Sequence, residues 1–321
     1  MGERAVDAAG RSSAARARRR GGAPRAVRDA RARAAARPFV AVALAFVLAV
    51  ALGVALAGCD RAAPSADARP VVAVSVLPQQ WVVERLAGDR VRVVVMLPPG
   101  ANEATYEPSI SQMRALDRAV LYVKVGHPRF AFERAWLDAL LADAEGVRVV
   151  DGAAGIELAP GDPHYWLVPR HVATMAASVA RALADALPAE RAAIDARLEG
   201  LRRDAEALDA ELRARLAPVR GRTFLVFHPA FGYLAREYGL VQVAIEDEGK
   251  EPDAHELARL VARARDEGVR VIFVQPQFDR AAAQTIADEV GARLEVLDPL
   301  APDWDDNLRR VARALAEGLA S

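Results

Sequence analysis

Cysteine is almost missing from this chain: Cys59 is the only one among 321 residues. No disulfide can form within it, so the fold must stand on an apolar core or on a bound metal. Net charge is missing as well, since 43 basic residues balance 43 acidic ones. The balance is uneven along the chain. Residues 1–37 hold eleven arginines against Glu3, Asp7 and Asp29, a net of +8, which leaves −8 for residues 38–321. A nucleic-acid partner is ordinarily announced by a basic folded domain, and this folded part is acidic, so no such partner is expected. Three enzyme signatures are also lacking: the HExxH zinc helix, the GxSxG nucleophile elbow and the GxxxxGK phosphate loop. Each supplies a specific chemistry that must otherwise be built from scattered residues.

What is present begins with a leader. Behind the arginines comes an uncharged run, Phe39 to Ala57, about as long at helical rise as a bilayer core is thick. A basic segment followed by such a run reads as a signal peptide or a retained anchor. The run ends Leu56-Ala57-Gly58-Cys59, which resembles the bacterial lipobox, whose cysteine carries the lipid. The expectation is a lipoprotein signal peptide over 1–59, lipidated at Cys59, with a polar Ala/Pro-rich tether over 60–69. The rest then works outside the cytoplasm, on a membrane-anchored lipoprotein facing the periplasm or the cell exterior.

Over half of the residues are hydrophobic, enough for one large or two modest domains. From Pro70 short β-branched runs alternate with helical patterns. Strands are expected at 71–77, 91–97, 119–125 and 147–150, with helices at 109–117 and 130–144 between them. Helical stretches over 170–187 and 188–217 follow, the second opening on Pro188 at a position suited to a first turn. A second series places strands at 223–227, 240–245, 269–275 and 293–298, with helices at 229–238, 253–267, 279–290 and 305–319. Asp253 and Glu256 form a capping box. The expected fold is α/β: two doubly wound parallel-sheet lobes, 70–187 and 218–321, joined by one long helix, 188–217.

In open α/β sheets ligands bind beyond the carboxyl ends of strands. Of the five histidines, His127 follows the strand 119–125, His228 directly follows 223–227, and His164 lies in the loop Gly-Asp-Pro-His-Tyr-Trp-Leu. Asp298 closes the strand 293–298. Three imidazoles and a carboxylate meeting in a cleft would suit a borderline divalent ion. Each histidine alone has an equally ordinary reading, a local hydrogen bond.

The segments SVLPQQWVVERLAGDRVRVVVMLPPG (75–100), TYEPS (105–109), DPHYWLVP (162–169), VFHPAFGYLAREYGL (226–240), EGKEP (248–252), IFVQPQF (272–278) and LDPLAPDW (297–304) resemble the zinc/manganese solute-binding proteins of bacterial ABC importers. The resemblance implies two α/β lobes on one long helix, with the metal site in the cleft between them. It implies that His164, His228 and Asp298 are metal ligands. The family's first histidine lies in a Pro-His-x-Tyr-Glu-Pro segment, and here that stretch reads Glu103-Ala104-Thr105-Tyr106-Glu107-Pro108. The ligand position is thus Ala104. His127 is taken first as the fourth ligand and Glu103 second, with water a third way to complete the shell. His127 would give a zinc-like shell, and Glu103 would move the choice toward Mn2+ or Fe2+. The His-rich loop frequent in the family's zinc forms is not found ahead of DPH.

The function implied is high-affinity capture of Zn2+, alternatively Mn2+ or Fe2+, and delivery to the permease and ATPase of an ABC importer, by a monomer that is not an enzyme. From other classes, a lipid-anchored zinc hydrolase using the position opened by Ala104, or a surface adhesin on the same scaffold, are the alternatives. His171 and His255 read as surface groups. Glu246, Asp247, Glu248 and Glu251 form an acidic loop that either attracts a cation or is merely solvated. Tyr106, Trp166 and Phe231 either pack around the site or belong to the ordinary core.

Overall fold

A computed structural model describes residues 68–142, 144, 146–246 and 253–320. The leader with Cys59, the tether as far as Asp67, and Asp247, Glu248 and Glu251 lie outside the described residues. No helix among the described residues is long and apolar enough to cross a membrane.

The first sheet holds β1 (Val71–Val74), β2 (Arg92–Val95), β3 (Ala119–Lys124) and β4 (Arg148–Asp151) in the order β2-β1-β3-β4, all parallel. The second holds β5 (Thr223–Val226), β6 (Val241–Ala244), β7 (Val271–Val274) and β8 (Arg293–Val296) in the order β6-β5-β7-β8, again all parallel. The interior strands β1 and β7 are buried along their whole length. That is why they read as unbroken Val/Ile/Phe runs rather than as an alternation. Helices α1 (Leu77–Ala87), α2 (Ile110–Leu116) and α3 (Ala131–Leu141) belong to the first lobe. Next come α4 (Pro169–Ala186) and α5 (Arg191–Leu216), and then α6 (Gly232–Tyr238), α7 (Ala254–Asp266), α8 (Ala281–Val290) and α9 (Trp304–Leu319). The fold is two parallel-sheet α/β lobes.

Two local readings change. The first strand stops at Val74 instead of reaching Leu77, because Leu77-Pro78 opens α1. Pro78 lacks an N–H that a first turn would leave unpaired anyway, so it starts the helix as readily as it stops the strand. The stretch from Pro188 is not one helix: Pro188–Glu190 is a 3-10 turn, and α5 starts at Arg191. Even so α5 runs for 26 residues and buries Ile194, Leu201, Ala205, Leu208, Leu212 and Leu216 along one stripe. It packs on α1 and α4 from the first lobe and on α9 from the second. Arg85 pairs with its Asp204, and Arg309 with its Glu211 at 3.0 Å.

One continuous apolar core runs from the first sheet through α4 and α5 to Phe224, Phe273 and Leu308 of the second lobe. A smaller core on the far face of the second sheet joins Leu225, Ile272, Ile286 and Ala264. The lobes are further pinned by a reciprocal pair of bonds. Trp166 Nε1 donates to Pro299 O at 2.8 Å, and Trp304 Nε1 donates to Trp166 O at 2.7 Å.

Each sheet reverses its winding between two neighbouring strands, β1/β3 and β5/β7, and each reversal opens a crevice at the strands' carboxyl ends. The first crevice is filled from within. Buried Glu133 of α3 accepts from Ser75 Oγ at 2.5 Å, from Gly126 N at 2.9 Å and from Val125 N. Burial pushes its pKa up against those bonds. The second crevice is where the site lies.

Candidate metal centre

His228 follows the end of β5 and is fixed through its backbone and one ring nitrogen. Its backbone N–H donates to Gln275 Oε1 just past β7 at 2.9 Å, and its Nδ1 bonds Glu246 Oε1 just past β6 at 2.5 Å. A carboxylate accepts only, so Nδ1 carries the proton and Nε2 presents a lone pair. That Nε2 is buried and has no hydrogen-bond partner among the described residues. A buried polar atom left this way costs free energy unless something binds it. Phe278 stacks on the ring at 4.6 Å and 20°.

His164 is built on the same plan in the first lobe. Asp162 Oδ1 accepts from the His164 backbone N–H and bonds its ring Nδ1, each at 2.9 Å. The other oxygen, Oδ2, accepts from Tyr233 N of α6 at 3.1 Å. One carboxylate therefore sets the tautomer and joins the two lobes. Burial pulls the His164 pKa down, but the Asp162 bond and the charges of Asp162 and Glu103 outweigh it, and the net shift is upward.

Glu103 completes the group from the loop after β2. Asn102 Oδ1 accepts from Ala104 N at 2.8 Å, and Asn102 Nδ2 reaches Gln277 O across the cleft at 3.5 Å. Glu103 Oε2 stands 3.9 Å from His164 Nε2. The His164 and His228 rings are 5.3 Å apart at 76°. Ligand atoms of Glu103, His164 and His228 all lie within 4.8 Å of one another. Two ligands of one tetrahedral zinc stand ~3.4 Å apart at bond lengths near 2.1 Å, so sub-ångström movements bring all three onto one ion.

Gly232 lets Asp162 come this close: a Cβ there would meet Asp162 Oδ2 at 2.6 Å. Gly232→Ala should push the carboxylate away and loosen the His164 ring. Zinc affinity measured against a competing chelator should then fall by about 10–100-fold, with every ligand intact. Unchanged affinity would mean that the Asp162 contact does not orient the ligand.

The remaining expected residues fall elsewhere. The structure brings Glu103, not His127, to the two imidazoles. His127 is buried with both nitrogens engaged: Nδ1 accepts from Arg129 N at 3.0 Å and Nε2 bonds Ala159 O at 3.0 Å. Asp298 is not in the group of three. Its Oδ1 accepts from Gln277 Nε2 at 2.8 Å and Leu300 N at 2.9 Å, and Gln277 O in turn meets Asn102 Nδ2 at 3.5 Å. His171 sits half-buried against Tyr165 O and the Tyr233 ring, and His255 is exposed on the first turn of α7. Trp166 does pack on His164, at 5.3 Å between rings, whereas Tyr106 turns to Gln112 and Phe132. Sequence reasoning missed Asp162 and Phe278 and did not separate Glu246 from its acidic loop. For Asp162 a signal exists, since an Asp two residues before a His is the spacing of an Asx turn.

Two α/β lobes with paired, carboxylate-oriented imidazoles facing across a cleft make an arrangement suited to holding a metal ion. The chain matches the family model described as zinc-uptake complex component A, periplasmic, over residues 72–318, and it belongs to that family. A crystal structure of a ZnuA deletion mutant with zinc bound is similar, with 39% identity, a TM-score of 0.74, and 79% of this chain and 99% of that one covered. The laminin-binding protein Lmb of Streptococcus agalactiae, described as bifunctional with adhesin and metal-transporting activity, is similar at 26% identity and a TM-score of 0.70, covering 78% and 99%. The zinc-binding lipoprotein AdcA of Streptococcus pneumoniae serotype 4 is 25% identical over 256 residues, 73% of this chain and 51% of AdcA. The chain spans about half the length of the first curated relatives it matches.

Proposed function

We propose that this chain captures a divalent transition metal outside the cytoplasm, Zn2+ in the first place, and passes it to the permease of an ABC importer driven by its ATPase. The ligands are His164, His228 and Glu103, with the fourth position open to an exogenous group. The observation that carries the reading is the convergence of these three groups, each imidazole held on its Nδ1 side by a carboxylate. As a second carboxylate beside Asp298, Glu103 would favour Mn2+ or Fe2+. With Asp298 outside the group of three, two nitrogens and one oxygen with one open position suit zinc, and the outer carboxylates raise the basicity of the rings that bind it. The role is binding and not catalysis. Asp162 and Glu246, two of the acids that line the cleft, are already committed to orienting the histidines and not to activating water.

The proposal includes lipid attachment at Cys59 after removal of the leader, the tether 60–69, lobes spanning 70–187 and 218–321 with the segment 188–217 between them, and a monomeric receptor. Metal-stripped protein should gain thermal stability on adding Zn2+, by about 2.7 kcal/mol at one hundred times the dissociation constant. Calorimetric melting with Zn2+, Mn2+ and Fe2+ checks this. No shift with any of the three would remove the reading, and a larger shift with Mn2+ would reassign the metal.

A further inference from the structure

The cleft is far larger than an ion needs, and its walls carry cations as well as the acids that would draw a metal in. The cavity holding Glu103, His164 and His228 measures about 690 Å³, within the range of sites that take small organic ligands. Beside four acids, Glu103, Asp162, Glu246 and Asp279, three arginines line it: Arg129 and Arg134 from the first lobe, and Arg236 from α6 of the second. Arg134 and Arg236 are exposed side chains with no ion pair among the described residues, Arg236 lying over the Tyr233 ring at 4.7 Å. The acids account for the cation, and the guanidinium groups of Arg134 and Arg236 on the same wall give an anion somewhere to lie. Ala104 lines the same cavity, and its methyl group leaves open a position where a side chain could otherwise have reached the ion.

We infer that the protein takes its metal together with a small carboxylate: the anion fills the fourth position on the ion and lies against Arg134 and Arg236. The inference rests on the metal-capture reading above and names the substrate more closely, as a metal–carboxylate chelate instead of a bare ion. The charges agree with it. An ion bound by Glu103 also faces Asp162 and Glu246 behind the imidazoles, so three carboxylates already surround two positive charges. A further anion is held there only if other cations meet it. Guanidinium groups do so in a planar, two-pronged geometry matched to a carboxylate. A water molecule in the fourth position would use none of this.

The test equilibrates metal-stripped full-length protein with Zn2+ and isotopically labelled citrate or oxalate, removes free ligand on a desalting column, and counts zinc and carboxylate per chain. Wild type should retain close to one carboxylate per zinc, and none when zinc is left out. The Arg134→Ala and Arg236→Ala variants should each hold the carboxylate about tenfold more weakly, while their thermal shift with Zn2+ alone stays as in wild type and shows that they fold. If both carboxylates merely strip zinc from the protein and neither is retained, the inference is overturned while zinc capture stands. Retention that ignores the arginine substitutions overturns it too. Absence of zinc binding under every condition would overturn the capture reading itself.

Discussion

Replacing His228 by Ala should weaken zinc binding by more than about a hundredfold, beyond the loss that follows when an outer partner of a ligand is removed. Replacing His164 should do the same. Each substitution leaves two ligands where three converge; His228→Ala also strands a carboxylate, whereas Asp162 keeps its bonds from the backbone N–H of residue 164 and from Tyr233 N. Glu246 has almost no exposed side-chain surface and bonds His228 Nδ1 at 2.5 Å. Its loss of that partner leaves a buried acceptor unpaired, at about 1–3 kcal/mol. His228→Ala should therefore lower the melting temperature of the metal-free protein as well as the affinity. The control that separates the two effects is His127→Ala. His127 is buried and doubly bonded, so its removal costs stability on a similar scale. Since neither of its nitrogens faces the cation, zinc affinity should stay within a few-fold of wild type. Competition against a fluorescent chelator, run on all three variants below their melting temperatures, decides the matter. Equal losses for His127→Ala and His228→Ala would mean that the group of three is misread.

The same contrast marks where sequence reasoning stops. His228 could be found because it ends an apolar strand, and strand ends are where parallel sheets place ligands. His127 satisfies that rule equally well, two residues past another strand. What separates them is where their nitrogens find partners. Ala159, the acceptor for His127, is 32 residues away in sequence, and no local pattern announces that contact. Asp298 shows the same limit: it lies two residues past β8, where a ligand should be, and its Oδ1 accepts from Gln277 of a different loop, a contact no local pattern announces. Glu103 could be named only as the neighbour of Ala104, because a loop's direction depends on the contact of Asn102 with the other lobe. The fold was more legible. Its interior strands are continuous apolar runs, α7 opens on its own capping box and α5 carries a buried stripe, so the alternation survives without tertiary information. Helix α1 escaped because Pro78 serves the end of one element and the start of the next.

Trp166→Ala should be the most destabilising single change near the site, and it tests how the two lobes are held. The side chain is fully buried, packs edge-on against Phe130, Tyr165 and His164, and donates to Pro299 O. Truncating a buried Trp costs about 3–5 kcal/mol, which for a chain of this size is roughly 10 °C in melting temperature. Trp166→Phe keeps most of the packing but leaves Pro299 O without its donor, at about 1–3 kcal/mol. Zinc should recover part of either loss, because an ion bound by ligands from both lobes stabilises only the joined state. If Phe costs as much as Ala, the hydrogen bond and not the packing holds the junction. The junction also limits how the protein can release an ion. A wide opening would break both tryptophan bonds and divide a continuous core, whereas the Glu103 loop reaches the other lobe through one 3.5 Å contact from Asn102. Movement should therefore begin in that loop. Hydrogen exchange on metal removal should rise first over residues 98–108 and stay low over 164–168, and the reverse order would place the hinge at the tryptophans instead.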